Sequence, residues 1–335
     1  MNASDGVDCR QLSAELIRAL RGRRSQMALS RRLGYRTNVL YLWEAKKGAP
    51  TAAGFFALAR RAGVDVPASL QRFYRDPPPW MRQLDPVSPE GAAALLRDLK
   101  GNATLVDVAR SLRRSRYALS RWLEGSAEPR LPDFLQAIEV TSLRLLDFVA
   151  CFADPERMPS VSHRWRQLQL SRRAAYERPW SHAVLRALEL DGYVRLPRHE
   201  PGWIAQRLGL SREEEEESLR VLSSSGQIEQ RAGRWVPRGD SAIDTRRDPR
   251  AARQLKAWWF DVGTERYRGE VPGVFSYNLF GVSIADFERI QALQRSYFRE
   301  IRSIVSQSQP VQTVALVNLQ LFSLLDPPEP GGQAT

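Results

Sequence analysis

A mainly α fold with an α+β C-terminal part is predicted for this 335-residue chain by three observations. Apolar residues in the first 150 positions recur at three- and four-residue spacing, as in Leu12, Leu16 and Leu20, the period of a helix with one buried face. Sliding the chain by 79 positions superimposes its first stretch on its second without a gap. Beyond residue 270 strand-like runs flank one long helical run. A mass of 38.1 kDa suits two to three domains, and 43% apolar with 26% charged residues suffices for buried cores.

The formal net charge is +12 and the pI near 10.2, which points to a polyanionic partner and says nothing of the fold. The charge sits at one end: residues 1–75 hold 14 Lys+Arg against 5 Asp+Glu, whereas residues 76–150 hold 10 of each. No run approaches the roughly 18 apolar residues of a membrane helix, and MNASDGVDCR lacks the charged-then-apolar order of a signal peptide. A cytoplasmic location without membrane contact is therefore expected. Cys9, Cys151, His163, His182 and His199 show no CxxC or HxxxH spacing, which argues against a structural zinc site.

The repeat pairs Leu16 with Leu95, Leu20 with Leu99, Gly22 with Gly101, Leu33 with Leu112, Trp43 with Trp122, Pro50 with Pro129 and Phe55 with Phe134. In each copy the glycine ends a first helix. Ser25 or Thr104 then stands as N-cap of a second helix carrying Leu29 and Leu33, or Val108 and Leu112. After a three-residue turn, a third helix holds Leu40 and Trp43, or Leu119 and Trp122, inward, and Pro50 or Pro129 precedes a fourth. Two helices joined by a tight turn, the second one short, form a helix-turn-helix. Two tandem helix-turn-helix bundles are assigned to residues 1–75 and 91–153. Between them, residues 76–90 carry Pro77, Pro78, Pro79, Pro86 and Pro89, a stiff linker expected to space the modules.

SQMALSRRLGYRTNVLYLWEAKKGAP from Ser25 and TLVDVARSLRRSRYALSRWLEGSAEP from Thr104 resemble lambda-repressor/Cro-like helix-turn-helix domains. Copy one keeps the family's Gln26 at the start of its second helix and Gly34 in its turn, where copy two has Leu105 and Arg113. Copy two has the better-matched third helix, because copy one places Leu42 where a polar residue is usual. The resemblance implies double-stranded DNA as partner, with the N-terminal part of each third helix at base edges and basic flanks on phosphates. The candidates are Arg36, Thr37, Asn38 and Tyr41 in copy one and Ser115, Arg116, Tyr117, Ser120 and Arg121 in copy two. Arg23, Arg24, Gln26, Lys46 and Lys47 are the phosphate candidates around copy one, and Ser25, Thr104 and Arg114, at helix starts and in the turn, complete the set. Trp43 and Trp122 are read as core.

Residues 154–240 read as a helical connector and a winged-helix unit. In EPGWIAQRLGLSREEEEESLRVLSSSGQIEQRAGRWVP from Glu200, one helix carries Ile204 and Leu208, a second Leu219 and Leu222, and a hairpin turns at Ala232-Gly233. Its groove helix would open on Glu213 to Glu217, carboxylates that phosphates repel but a helix N-terminus favours. Scaffolding or protein contact is the expected role.

Residues 241–326 read as an α/β domain. A helix from Ala252 is followed by VFSYNLFGV from Val274 as a strand, then a long helix with Ile284, Phe287, Ile290, Leu293, Tyr297, Ile301 and Ile304 on one stripe. VQTVALVNLQLFSLL from Val311 alternates as a second strand. This β-α-β unit has too few strands for a stable sheet, which a second chain or the wing would complete, so a homodimer through the C-terminal half is expected. Residues 327–335 are expected to be a disordered tail. From about Asp98 to Leu325 the chain resembles a bacterial paralogous family of uncharacterised regulator-like proteins, on RLLDFVACFADPE from Arg144, RPWSHAVLRAL from Arg178, GWIAQRLGLS from Gly202 and VALVNLQLFSLL from Val314. That resemblance implies a cytoplasmic DNA-binding regulator in which copy one is an addition.

No nucleophile with a base in reach, paired carboxylates or phosphate-binding glycine loop is legible, so neither an enzyme nor a cofactor is expected. His182 and Cys151 read as core or boundary residues. The expected function is a sequence-specific transcriptional regulator whose two helix-turn-helix modules occupy adjacent major grooves while the C-terminal half dimerises and offers room for signal sensing, the effector being unknown. The alternatives are a protein-protein adaptor with only non-specific nucleic-acid binding, and an RNA-binding regulator.

Overall fold

The 79-residue period of the sequence is also a period of structure. The computed structural model describes residues 6–74, 77–101, 103–238 and 248–325. Copy one consists of α1 (Cys9–Arg21), α2 (Gln26–Arg32), α3 (Val39–Glu44), α4 (Ala52–Arg61) and α5 (Val66–Tyr74). A single turn, α6 (Trp80–Gln83), lies in the linker. Copy two repeats the order as α7 (Pro89–Lys100), α8 (Leu105–Leu112), α9 (Arg116–Glu124), α10 (Leu131–Ser142) and α11 (Leu145–Ala150). Gly22 and Gly101 end α1 and α7 with nearly the same backbone, φ 59 and ψ −132 against φ 53 and ψ −130, a region open to glycine. The Ser25 hydroxyl accepts the Ala28 amide and the Thr104 hydroxyl that of Asp107, capping α2 and α8.

The copies meet through equivalent residues. The Ala52 N–H donates to the Pro129 carbonyl at 3.0 Å and the Leu131 N–H to the Pro50 carbonyl at 2.8 Å, forming an antiparallel bridge between Thr51 and Arg130. Pro50 and Pro129, Thr51 and Arg130, and Ala52 and Leu131 are each one period apart, so each of these two bonds is the mirror of the other, the signature of an approximate two-fold relation. Around this bridge Phe55, Phe56 and Phe73 of copy one pack with Phe134, Phe148 and Phe152 of copy two. One continuous core therefore runs through both copies. The sequence suggests spaced modules, but α4 buries Ala52, Ala53, Phe55, Phe56, Leu58 and Ala59. That apolar surface is wider than a one-faced helix needs, and the other copy covers the excess. Val161 and Trp165 add to the same core as the chain enters α12 (Ser162–Glu177), and Ser160 donates through its N–H and hydroxyl to the buried Glu15 carboxylate.

A second compact unit holds α13 (Trp180–Ala187), α14 (Asp191–Val194), α15 (Trp203–Leu208), α16 (Arg212–Ser224), the hairpin β1 (Ile228–Arg231) and β2 (Arg234–Pro237), α17 (Pro249–Arg268) and α18 (Ile284–Gln307). Its core joins Val184, Leu185, Leu188, Tyr193, Ile204, Leu219, Leu222 and Ile228. The hairpin turns with φ 48 at Ala232 and 76 at Gly233, the two positive values that a type I′ turn demands. The Tyr193 hydroxyl accepts the Trp235 N–H at 3.2 Å and lies 3.1 Å from His199 Nδ1, tying the hairpin to α14.

Of the C-terminal β-α-β expectation, the single chain shows the helix and not the strands. The helix forms as α18, but residues 274–282 and 311–323 carry no strand, and β1–β2 is the only sheet among the described residues. Alternation decides which side chains share a face and does not supply a neighbouring backbone, without which no ladder exists. The tail at 327–335 lies outside the described residues.

Candidate nucleic-acid interface

The site starts with what holds α3 in place. Glu44 ends this helix with a side chain only 6% exposed, and Arg21 of α1 meets it with Nε at 2.5 Å from Oε1. Gln26 Nε2 donates to the other oxygen at 2.9 Å, and Arg18 stands 3.7 Å away. Burial alone would raise this carboxyl, but the hydrogen bonds from Arg21 and Gln26 and the positive charges of Arg21 and Arg18 outweigh it and hold it below the usual carboxylate range. In copy two the positions one period on are Leu123 for Glu44 and Leu105 for Gln26, so apolar packing replaces the ionic network. Gln26 is thus committed within the chain, where the sequence suggests phosphate contact.

In front of α3, Arg36 and Thr37 are exposed, and Asn38 caps the helix by accepting the Tyr41 N–H at 3.3 Å. Tyr41 and Leu42 are exposed on its first turn. Arg23, Arg24, Ser25, Lys46 and Lys47 are exposed around it. Of these, Arg24 donates to the Ala62 carbonyl at 3.1 Å and Lys46 to Gln11 Oε1 at 2.9 Å, both through flexible side chains. In α9 the cap is Ser115, which accepts the Ala118 N–H at 3.1 Å, so this helix starts two residues earlier than the repeat would place it. Arg116 and Tyr117 therefore open a helix, where their counterparts Thr37 and Asn38 precede one. Tyr117 is 74% exposed, with the Arg121 guanidinium 5.9 Å from its ring centroid. Ser120 donates to Glu124 at 2.6 Å, Thr104 to Asp107 at 2.6 Å, and Arg114 is ion-paired with Asp133.

The candidate set thus divides. Arg23, Lys47, Arg36, Thr37, Tyr41, Arg116, Tyr117 and Arg121 present side chains outward, while Gln26, Ser25, Asn38, Thr104, Ser115 and Arg114 perform local structural work as caps and pairs, and Arg24, Lys46 and Ser120 make side-chain hydrogen bonds at the surface. Sequence reasoning passed over Arg113, exposed in the α8–α9 turn at φ 52, the left-handed conformation that Gly34 holds at φ 88 in copy one. Its signal was the repeat itself, which sets an arginine where the conformation calls for glycine.

The glutamates of α16 have internal partners. Ser211 and Glu214 cap each other, the Ser211 N–H donating to Oε2 at 2.8 Å and the Glu214 N–H to the hydroxyl at 3.1 Å. Buried Glu215 accepts the Gly202 and Ala205 amides at 3.1 and 2.5 Å and so caps α15. Glu216 pairs with Arg212, and Glu217 with Arg178 and Arg220. Within α13, His182 is pushed down to about 4 by burial and by the Arg186 charge.

No group of three or more His, Cys, Asp or Glu suited to a metal occurs among the described residues, and no helix among them is long and apolar enough to cross a membrane. A family model described as Domain of unknown function (DUF4423) matches residues 160–324, the stretch from α12 through α18, and leaves both N-terminal copies outside the match. Neither the curated proteins nor the solved structures contain a match.

Proposed function

We propose that the chain is a sequence-specific DNA-binding transcriptional regulator in which the two copies act as helix-turn-helix modules in adjacent major grooves. The carrying observation is the reciprocal bridge at Thr51 and Arg130. Helix-turn-helix proteins generally match the two-fold symmetry of duplex DNA with a dimer, and here equivalent halves already face each other inside one chain. Such a pair reads inverted half-sites. The base-facing positions differ throughout, Arg36, Thr37, Asn38 and Tyr41 against Ser115, Arg116, Tyr117 and Ser120, so the two half-sites differ in sequence. The +9 balance of residues 1–75 supplies the phosphate attraction, and the hairpin-bearing unit, in this reading a winged helix with its carboxylates satisfied internally, serves as scaffold. The C-terminal half joins two chains into a homodimer.

Selection from a random DNA library by the full chain, followed by salt-dependent affinities for the enriched duplex and a scrambled one, tests this. Two unequal blocks in inverted orientation are expected. Equal affinity for both duplexes, lost with salt, would overturn it in favour of the adaptor reading, which the internal commitment of Gln26 and Arg114 favours.

A further inference from the structure

Among the described residues, the C-terminal arm is a long stretch whose apolar residues mostly lie outside the buried cores. Among the described residues, eighteen large apolar side chains between Val271 and Leu325 are exposed, including Val274 at 97% and Tyr277 at 96%. Even at about 50 Å² each they exceed the few hundred Å² of the largest patch on a typical monomer and reach the roughly 800 Å² that each partner of a standard interface buries. α18 is 24 residues long, yet none of its described residues is buried, and Ile284, Leu293, Tyr297, Ile304 and Val305 face solvent. Among the described residues of the arm, Val311 and Val314 pack against the core of their own unit.

The two segments flanking α18 have the composition of strands buried on both faces. Residues 274–282 and 311–325 contain no charged residue, and large apolar side chains occupy both alternating sets: Leu319 and Leu321 on one, Leu316 and Phe322 on the other. Near-continuous apolar runs of this kind belong to interior strands, whereas an edge strand carries charges or proline that discourage further pairing. Each segment nevertheless lacks a strand beside it. Two strands from one chain are too few for a stable sheet, and two from each of two chains reach the number that is. Charge does not oppose a second copy here, since residues 271–325 hold four Arg against three Asp+Glu, in contrast to the strongly basic N-terminus.

We infer that residues 274–282 and 311–323 pair with the same segments of a second copy, building an intermolecular sheet of at least four strands on which the two α18 helices pack. This deepens the homodimer part of the function proposed above and is independent of its DNA-binding part. The occupant is a second copy of this chain, because the arm itself supplies the number of strands, the apolar area and the near-neutral charge that the assembly requires.

Hydrogen exchange on the full chain, with sedimentation at matched concentrations and no DNA, tests it. The expected result is a dimer in which the amides of both segments are protected, their protection falling on dilution together with the dimer fraction. Two adjacent substitutions, Leu319→Pro and Gln320→Pro, remove N–H groups that point to opposite edges, so at least one should weaken self-association by about tenfold or more while Leu319→Ala and Gln320→Ala retain it better. Neither position belongs to a buried core of the chain, so unchanged thermal unfolding of the N-terminal copies checks that the variants remain folded. A chain that stays monomeric overturns both this inference and the homodimer reading. A dimer whose arm amides exchange freely, or one indifferent to both prolines, overturns the shared sheet alone.

Discussion

At the residue scale, three positions carry measurable consequences. Arg113 sits in the left-handed region that Gly34 occupies in copy one. Side chains other than glycine lose about 1 kcal/mol or more there, part of which glycine forfeits in the unfolded chain. Arg113→Gly should therefore stabilise the protein by about 0.5–1 kcal/mol in chemical denaturation, and a loss of stability would contradict the strain. Glu44 anchors Arg21, whose side chain is 19% exposed. Removing its charge leaves that guanidinium without its principal partner, so Glu44→Gln should cost about 2 kcal/mol, the worth of a hydrogen bond to a charged group. Because the folded state holds this carboxyl low, its contribution is present above the ordinary glutamate range and fades as pH falls through the folded value, and the variant should lack that part of the acid dependence. His182 behaves in the opposite sense. Its folded value of about 4 lies below the ordinary 6.5, so the unfolded chain takes up the proton first and stability drops as pH falls from about 6.5 to 4. His182→Asn should flatten the unfolding midpoint across that window, and an unaltered slope would show that another group titrates there.

At the scale of elements, most of the helices were legible. Gly22, Gly101, Ser25 and Thr104 are local signals, and local signals act through backbone conformation and capping bonds within a few residues, so the ends of α1, α2, α7 and α8 follow from them. The start of α9 was less legible, because Ser115 captured the cap two residues ahead of the position equivalent to Asn38. That shift puts Arg116 and Tyr117 on the helix, whereas their counterparts Thr37 and Asn38 precede one. In the proposed function, Arg116→Ala with Arg121→Ala should abolish discrimination between the selected duplex and its scrambled form, each base contact being worth about 1–3 kcal/mol. Both side chains are exposed, so circular dichroism and thermal midpoint should stay as in the parent. Retained discrimination would remove α9 from the reading role.

For the whole molecule, the prolines of the linker matter less than the composition suggests. The reciprocal bonds at Pro50, Ala52, Pro129 and Leu131, and the phenylalanines around them, hold the copies in register. If the proposed function holds, inserting six Gly/Ser residues after Pro78 should leave the spacing of the two selected half-sites unchanged, because the loop-closure cost grows only slowly with length. A changed spacing would return control to the linker. Sequence alone determined the helical class, the repeat, the caps, the hairpin turn at Ala232-Gly233 and the concentration of positive charge, since all of these depend on neighbours close along the chain or on simple counts. Tertiary structure alone decided that the copies face each other through equivalent residues, that Gln26 and Arg114 are committed internally, and that the alternating segments around α18 have no strand beside them in their own chain. Those outcomes depend on which surfaces meet, and periodicity marks a surface as apolar without specifying the surface that will cover it.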